Sequence, residues 1–264
     1  MTIKKSYILW TIFLTILTST NLVEAQKKDI SSQVTLANEL YHEKNYQAAA
    51  NIFETLINQG ETNGYLYYNL GNTYMRLGNK GSAILNYLRA KLLLPRNENL
   101  DANLRYAINQ TQDQLHPPEG GLIPGLLFWI DSITLIEHFE MLFFFNIIFW
   151  CLCIGSLYYR KPSWESLKKI SMTILLIAFF STGMKYYLLS KQKIGVITDK
   201  KVGVKSDRNT QNIILFELHE GAIISVNQED GEWAHILVDA DKTGWIPIKS
   251  IGYLNSRVIS KTHI

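Results

Sequence analysis

The sequence is poor in cysteine, and its two cysteines, Cys151 and Cys153, lie in one apolar run. Residues two apart on a helix point about 200° apart, so these thiols are badly placed to bridge each other or to bind one metal ion. We interpret them as small apolar residues of that run. The soluble regions offer no thiol nucleophile, and they must be held together by packing without disulfides.

The chain also lacks a strong excess of charge of either sign. Its formal net charge is +3 over 264 residues. Residues 26–113 hold nine Lys and Arg against eight Asp and Glu, and residues 193–264 hold nine against nine. Neither region has the basic surplus that attracts nucleic acid, so no nucleic-acid partner is expected.

Familiar catalytic and metal-binding motifs are absent as well. The sequence has no HExxH, GxSxG, P-loop or GxGxxG pattern. No two of its six histidines have the i,i+4 spacing of many metal sites. The histidines are His42, His116, His138, His219, His235 and His263. A catalytic triad can be assembled in space without a motif, so this absence is no proof. We expect no enzymatic activity, no cofactor and no metal, and we interpret the adjacent His219 and Glu220 as a structural link in a turn.

The chain does contain three apolar runs, of which the first has the features of a secretory signal. Lys4 and Lys5 precede an apolar core at residues 7–17, and residues 23–25 offer short side chains for cleavage. We therefore predict a signal peptide over residues 1–25. The alternative is an uncleaved anchor, and either interpretation sends the following residues across a membrane.

The other two runs are long enough to cross a bilayer. Residues 141–159 contain no charged residue, and residues 170–189 contain only Lys185. At about 1.5 Å per residue the first run reaches roughly 28 Å, close to the hydrocarbon thickness. We predict transmembrane helices over 138–159 and 170–189, with Lys185 near an end, where its stem can reach the interface. The alternative is a buried helix pair in a soluble protein.

The residues around these runs predict their orientation. The connecting residues 160–169 carry four basic side chains against one acid, whereas acidic residues precede the first run. The positive-inside tendency therefore predicts a cytoplasmic loop at 160–169 and both soluble regions in the periplasm of a bacterial inner membrane. Within the linker at 114–137, apolar bulk mixed with sparse acids favours a helix lying along the membrane surface.

Residues 30–97 match themselves at a spacing of 34. The pairs include Ala37 with Gly71, Ala49 with Ala83, and Phe53 with Tyr87. This period is typical of the tetratricopeptide repeat, and LYYNLGNTYMRLGNKGSAILNYLRAKLLLP resembles that family closely. We predict an all-α repeat domain over 26–113, with helices near 31–43, 47–59, 64–77, 80–93 and 98–113. Two and a half repeats fall below the usual three, so the domain is expected to dimerise or to lean on a partner or the membrane.

The resemblance implies a peptide-binding groove on the first helix of each repeat. The implied groove residues are Val34, Asn38, Tyr41, Tyr68, Asn72, Met75 and Arg76. Asn38 and Asn72 are 34 apart, and their amides can hydrogen-bond a bound backbone. The alternative is that they are solvated polar residues on a face that binds nothing.

Residues 194–254 change character, with six short strand candidates separated by turn residues: IGVIT, VGVKS, NIILFEL, AIISV, WAHILV and GWIPI. GVITDKKVGVKS, the HEG turn, GEW and GWIP resemble the bacterial SH3 (SH3b) family, which implies a small all-β SH3-like barrel. Trp233 and Trp245 are its candidate ligand-binding residues, since indole rings can stack on a ligand. The alternative is that both tryptophans pack the barrel.

The order of signal, repeats, helical hairpin and SH3b module resembles the BatE-type family of the Bacteroides aerotolerance operons. The expected fold is a multidomain membrane protein with an all-α repeat domain, a two-helix transmembrane hairpin and an SH3-like barrel. The resemblance implies partnership with von Willebrand A-type membrane proteins and a MoxR-type ATPase system, in oxidative-stress tolerance or envelope maintenance. We expect a scaffold or adaptor; the alternative is a sensor of the cell wall that binds peptidoglycan through the SH3b module.

Overall fold

The protein is described here from a computed structural model. It describes residues 28–116, 128–159, 162–191, 193–208, 213–239 and 242–254. These residues form a set of packed helices, a pair of long apolar helices and an antiparallel sheet. The predicted signal peptide at residues 1–25 lies outside the described residues.

Five helices form residues 28–109 of the described chain, and from α2 onward each is packed on the next. They are α1 at residues 28–42, α2 (Tyr46–Asn58), α3 (Gly64–Leu77), α4 (Lys80–Leu93) and α5 (Glu98–Asn109). Asn45, Asn63 and Asn97 cap α2, α3 and α5 through their side chains. The first four lie within three residues of the predicted bounds, whereas α5 ends four residues early.

Residues 34 apart occupy equivalent places in the core of these helices. Ala49 and Ala83 are both fully buried. The larger pair behaves alike, since Phe53 is fully buried and Tyr87 is only 2% exposed. A Cβ atom on Gly71 would lie 2.6 Å from the Tyr87 ring, so α3 and α4 approach closely only because residue 71 is glycine. The period in the sequence therefore follows from helix packing.

Two long apolar helices follow, α7 (Leu135–Tyr158) and α8 (Pro162–Lys191), which pack along each other. Both are long and apolar enough to cross a membrane. The most apolar stretch of α7 has no buried residue, and 17% of the most apolar stretch of α8 is buried. A short helix, α6 (Phe128–Ser132), lies within the predicted linker and packs on α8.

The connection between the two apolar helices is shorter than predicted. Helix α8 begins at Pro162, so most of the predicted loop at 160–169 is helical. Proline suits the first turn of a helix, and Lys168 lies 2.6 Å from Glu165 in an i,i+3 pair. Helix α7 likewise begins before residue 138, because Thr134 and Glu137 form a capping box.

The C-terminal part is an antiparallel sheet of seven strands. They are β1 (Ile194–Ile197), β2 (Lys201–Lys205), β3 (Ile214–His219), β4 (Ile223–Asp230), β5 (Trp233–Asp239), β6 (Lys242–Pro247) and β7 (Ile251–Tyr253), in the order β3-β2-β6-β5-β4-β1-β7. Six of them lie where strands were predicted, and β7 was not predicted. Among the described residues β3 and β7 do not pair with each other, so the sheet is open, whereas a barrel was expected.

The sheet is packed directly on the helices. Ile194, Val196, Ile223 and Leu254 belong to the same hydrophobic core as the buried residues of α2–α5. The chief helix in this contact is α4, which meets β1 and β7. The two soluble parts, which are separated in sequence by the apolar pair, therefore form one packed unit.

This unit is also joined to the apolar pair. Arg96 donates to Glu137 at 2.5 Å and to the Ser132 carbonyl at 3.2 Å. Lys185, predicted to reach the interface, is buried, and its ammonium donates to the Ile130 carbonyl at 2.6 Å. The start of α7 and the end of α8 thus lie at one end of the pair, beside the helices and the sheet.

Candidate functional site

The predicted groove residues include two asparagines that make the same contact twice. Asn38 Oδ1 accepts from Asn69 Nδ2 at 3.1 Å, and Asn72 Oδ1 accepts from Asn103 Nδ2 at 2.9 Å. The pair Asn38–Asn69 recurs as the pair Asn72–Asn103 after 34 residues. These four residues, here called the asparagine ladder, link α1 to α3 and α3 to α5. Their side chains are half-buried.

The remaining hydrogen bonds of the ladder decide what it can offer a ligand. Tyr87 donates its hydroxyl to Asn72 Oδ1 at 2.8 Å, and Asn103 Nδ2 also donates to the Tyr68 hydroxyl at 2.9 Å. Burial raises the pKa of Tyr87 well above its usual value, so its hydroxyl remains a donor. Since the Asn72 carbonyl already accepts twice, what Asn72 can offer is its amide N–H groups, which no described residue accepts from.

The other predicted groove residues divide into two kinds. Val34 and Met75 are half-buried and pack against the helical core, so their first role is structural. Arg76 is exposed and donates to the Tyr41 hydroxyl at 3.3 Å, a hydrogen bond that raises the pKa of Arg76. The predicted groove residues thus comprise amide donors, tyrosines and a cation, a set suited to the carbonyls and carboxylates of a peptide.

Asn69 and Asn103 were missed by the sequence reasoning. A signal for them was present, because they too are 34 apart. The spacing alone gives no information on which face of α3 and α5 these amides occupy.

The two predicted tryptophans lie side by side on one face of the sheet. His235 of β5 is the register partner of Trp245 of β6, and Trp233 lies two residues before His235 on β5. Side chains alternate between the faces of a strand, and Ala234, Ile236 and Ile246 are buried on the opposite face. Trp233 and Trp245 are therefore half-buried on the outer face and do not fill the sheet core.

Each tryptophan has a basic neighbour. The Lys205 ammonium lies 5.0 Å from the centre of the Trp233 ring, and the Arg208 guanidinium lies 5.2 Å from that of Trp245. The His235 ring lies 5.0 Å from Trp245. These five residues form a cation–tryptophan face. Arg208 also pairs with the Asp230 carboxylate, so Lys205 is the cation of this face that best suits an anionic group attached to an apolar or sugar-like surface.

The contact between α4 and the sheet is made by specific polar groups. Asn79 precedes α4 but makes no side-chain cap, and Glu220 supplies the cap from the turn after β3. Its carboxylate accepts from the Gly81 amide at 3.1 Å and pairs with Lys200 at 2.5 Å. A carboxylate at a helix N-terminus satisfies free amides and interacts favourably with the helix dipole.

A second carboxylate links the sheet to the end of α5. Asp113, just beyond α5, accepts from the His219 backbone amide at 2.7 Å and lies 3.0 Å from its ring Nδ1. Arg89 of α4 donates to the Tyr253 carbonyl at 2.7 Å. His219 and Glu220 therefore serve as structural links between the sheet and the helices.

Glycines allow the two surfaces to approach. A Cβ on Gly81 would lie 2.4 Å from the Ile197 carbonyl oxygen, and one on Gly252 would lie 2.5 Å from Leu85. The sheet thus packs closely on α4, whereas the asparagine ladder lies on α1, α3 and α5.

Within the described ranges no three His, Cys, Asp or Glu side chains are grouped so as to hold a metal ion. No protein-family model matches the sequence, and no curated protein matches it either.

Proposed function

We propose that the protein is a membrane-anchored adaptor of the bacterial inner membrane, with both soluble parts in the periplasm. Its tetratricopeptide-like helices bind a partner protein in the groove that carries the asparagine ladder. The observation that carries the proposal is the repetition of this ladder at the spacing of the sequence repeat. Its resemblance to BatE-type proteins implies a role in aerotolerance or envelope stress.

The exposure of the apolar helices supports the membrane anchor. Phe143 is 68% exposed and Leu157 is 75% exposed, and many large apolar side chains along α7 and α8 resemble them. An apolar surface of this extent is unfavourable in water and is the normal surface of a helix in lipid. A buried helix pair of a soluble protein would instead have these side chains covered.

The position of the sheet supports the groove as the binding site. The sheet covers α4, which is the second helix of its repeat, and the groove residues lie on the first helices. The expected partners are the von Willebrand A-type membrane proteins that the resemblance implies, with the MoxR-type ATPase system acting through them. A peptide carbonyl can accept from the Asn72 amide, and an acidic side chain can pair with Arg76.

Site-specific photo-crosslinking tests the adaptor proposal. A photoreactive residue at Arg76, in the full-length protein in its native membrane, is expected to form an adduct that mass spectrometry identifies as a von Willebrand A-type membrane protein. The same residue at Gln47, exposed on α2, is the matched control and is expected to give none. No adduct at Arg76, or equal adducts at both positions, would contradict a groove-bound partner.

A second candidate function is cell-wall binding, which the outward position of the cation–tryptophan face favours. The stem peptides of peptidoglycan carry carboxylates that Lys205 can bind, and the indoles offer flat apolar surfaces to sugars. Full-length protein should then sediment with isolated sacculi, and Trp245→Ala should reduce this retention severalfold. Ile213→Ala, at another exposed residue of the sheet region, is the control. Equal retention of wild type and W245A would rule out this face.

A further inference from the structure

Helix α7 carries one amide side chain near its centre. Asn146 lies eleven residues after Leu135 and twelve before Tyr158, so it is about 17 Å from either end at 1.5 Å per residue. If α7 crosses the bilayer, as the proposed function requires, Asn146 is at the middle of the hydrocarbon layer. Water does not reach this depth, and polar groups there need protein partners.

Several other polar side chains in the two apolar helices already have hydrogen-bond partners. Ser156, Thr173 and Thr182 donate to backbone carbonyls three or four residues earlier in their own helices. Lys185 donates to the Ile130 carbonyl. Asn146 is exposed and makes no hydrogen bond to any described residue.

Asn146 lies in a groove on the outside of the helix pair. The groove encloses about 590 Å³ and is lined by apolar residues of both helices together with Asn146: Phe139, Leu142, Phe143, Leu175, Leu176 and Phe179. None of these side chains is charged, so two such grooves can face each other without repulsion. A packing surface with a single amide at its centre is typical of associating membrane helices.

We propose that this groove is a dimer interface occupied by a second copy of the chain. Two copies with the same topology place Asn146 at the same depth, and a two-fold axis along the membrane normal brings the two amides together. An amide is self-complementary, since each Asn146 can donate an N–H to the carbonyl oxygen of the other. A different partner helix would need its own polar side chain at this depth, whereas a second copy supplies one without further requirement.

The experiment uses full-length protein labelled in two colours and reconstituted in phosphatidylcholine vesicles over a range of protein-to-lipid ratios. Wild type is expected to show concentration-dependent energy transfer. Asn146→Leu is expected to weaken the association about tenfold, the range found for one interhelical amide pair. Asn146→Gln is expected to retain most of the association.

A relocated amide provides the matched control. The double variant F144N/N146L keeps one asparagine near the same depth but turns it about 200° around α7, and it is expected to associate as weakly as Asn146→Leu. Monomeric wild type at all ratios, equal association of Asn146→Leu, or full rescue by the double variant would overturn the proposal.

A separate measurement distinguishes failure of the dimer from failure of the membrane placement. Asn146→Cys, with Cys151 and Cys153 changed to serine, should not react with a membrane-impermeant thiol reagent in intact or opened vesicles. Reaction in either case would place residue 146 outside the bilayer and overturn the anchor as well as the dimer.

Discussion

Glu220 shows how one side chain connects two regions that are far apart in sequence. It is 139 residues from Gly81, yet its carboxylate completes the first turn of α4. The asparagine that precedes α4 would ordinarily make this cap but does not. The stability of α4 and the attachment of the sheet therefore depend on the same hydrogen bond.

Glu220→Ala is expected to lower the free energy of unfolding by about 1–2 kcal/mol, because it removes a helix cap and leaves the Gly81 amide without its acceptor. Denaturant unfolding of the full-length protein in detergent micelles, followed by tryptophan fluorescence, measures the change. Glu217→Ala, which removes an exposed pair with Lys201, is the control and should change stability by less than about 0.5 kcal/mol. Equal effects of the two substitutions would show that the cap contributes nothing.

Gly81→Ala is expected to loosen the contact between α4 and β1. The added methyl group would lie 2.4 Å from the Ile197 carbonyl oxygen, and backbone cannot move aside as a flexible side chain does. A loss of about 1–3 kcal/mol follows from overpacking of this kind. Gly183→Ala, in α8 with no atom near its added Cβ, serves as the control. A neutral Gly81→Ala would mean that the two surfaces are not in close contact.

Tyr253 gives a prediction for alkaline pH. Burial, followed by the neighbouring Glu229, raises the pKa of Tyr253 to about 12, compared with about 10 in an unfolded chain. The protonated hydroxyl is thus favoured in the folded state, so its contribution to stability is complete below about pH 10 and is lost as the pH rises toward 12. Thermal unfolding between pH 9 and about pH 12 should show a smaller loss for Tyr253→Phe than for wild type. Tyr65→Phe, at an exposed tyrosine, should match wild type. A loss in Tyr253→Phe as steep as that of wild type would contradict the assignment.

Among the elements, α3 and α5 are joined by the amide of Asn103, which donates to both Asn72 and Tyr68. Four buried residues of α5, Leu100, Leu104, Ala107 and Ile108, pack it into the helical core, and these hydrogen bonds add a polar link from α5 to α3. The ladder consequently helps to fix the position of α5 beside α3.

Asn103→Ala is expected to cost about 1–2 kcal/mol, since each hydrogen bond contributes about 1 kcal/mol and the Tyr68 hydroxyl loses its donor. Hydrogen exchange of the α5 amides should become faster, with little change in α2. Asn109→Ala, at an exposed residue of the same helix, provides the comparison. Unchanged exchange in Asn103→Ala would show that the ladder does not hold α5.

The elements also show what the sequence can predict and why. Helices α1–α4 were predictable because their apolar residues repeat at the helical period and again after 34 residues. Strand β7 has three residues and exists through its pairing with β1, a distant contact that leaves no local pattern. The extension of α8 was missed because four basic residues favoured a loop, whereas Pro162 and the Glu165–Lys168 pair favour a helix start. The contact between Gly81 and Glu220 was out of reach, because single-sequence patterns report neighbours along the chain.

For the molecule as a whole, the sheet supplies the packing that the short repeat array lacks. Two and a half repeats leave a helix face uncovered, and the sheet covers α4 with Val196 and Ile223, which join the helical core. The domain was expected to dimerise or to lean on a partner or the membrane, and the structure shows it packed on a later part of its own chain. This requires both soluble parts to lie on the same side of the apolar pair, as a hairpin that crosses the membrane twice would place them.

The topology of the hairpin is therefore the central claim, and a reporter at the carboxyl terminus tests it most directly. Alkaline phosphatase, which is active only in the periplasm, is fused after residue 264 of the full-length protein, and a fluorescent protein that matures only in the cytosol is fused at the same place in a parallel strain. The expected result is high phosphatase activity with no fluorescence. A silent phosphatase together with a bright fluorescent fusion would place the sheet in the cytosol and contradict the proposed anchor and orientation.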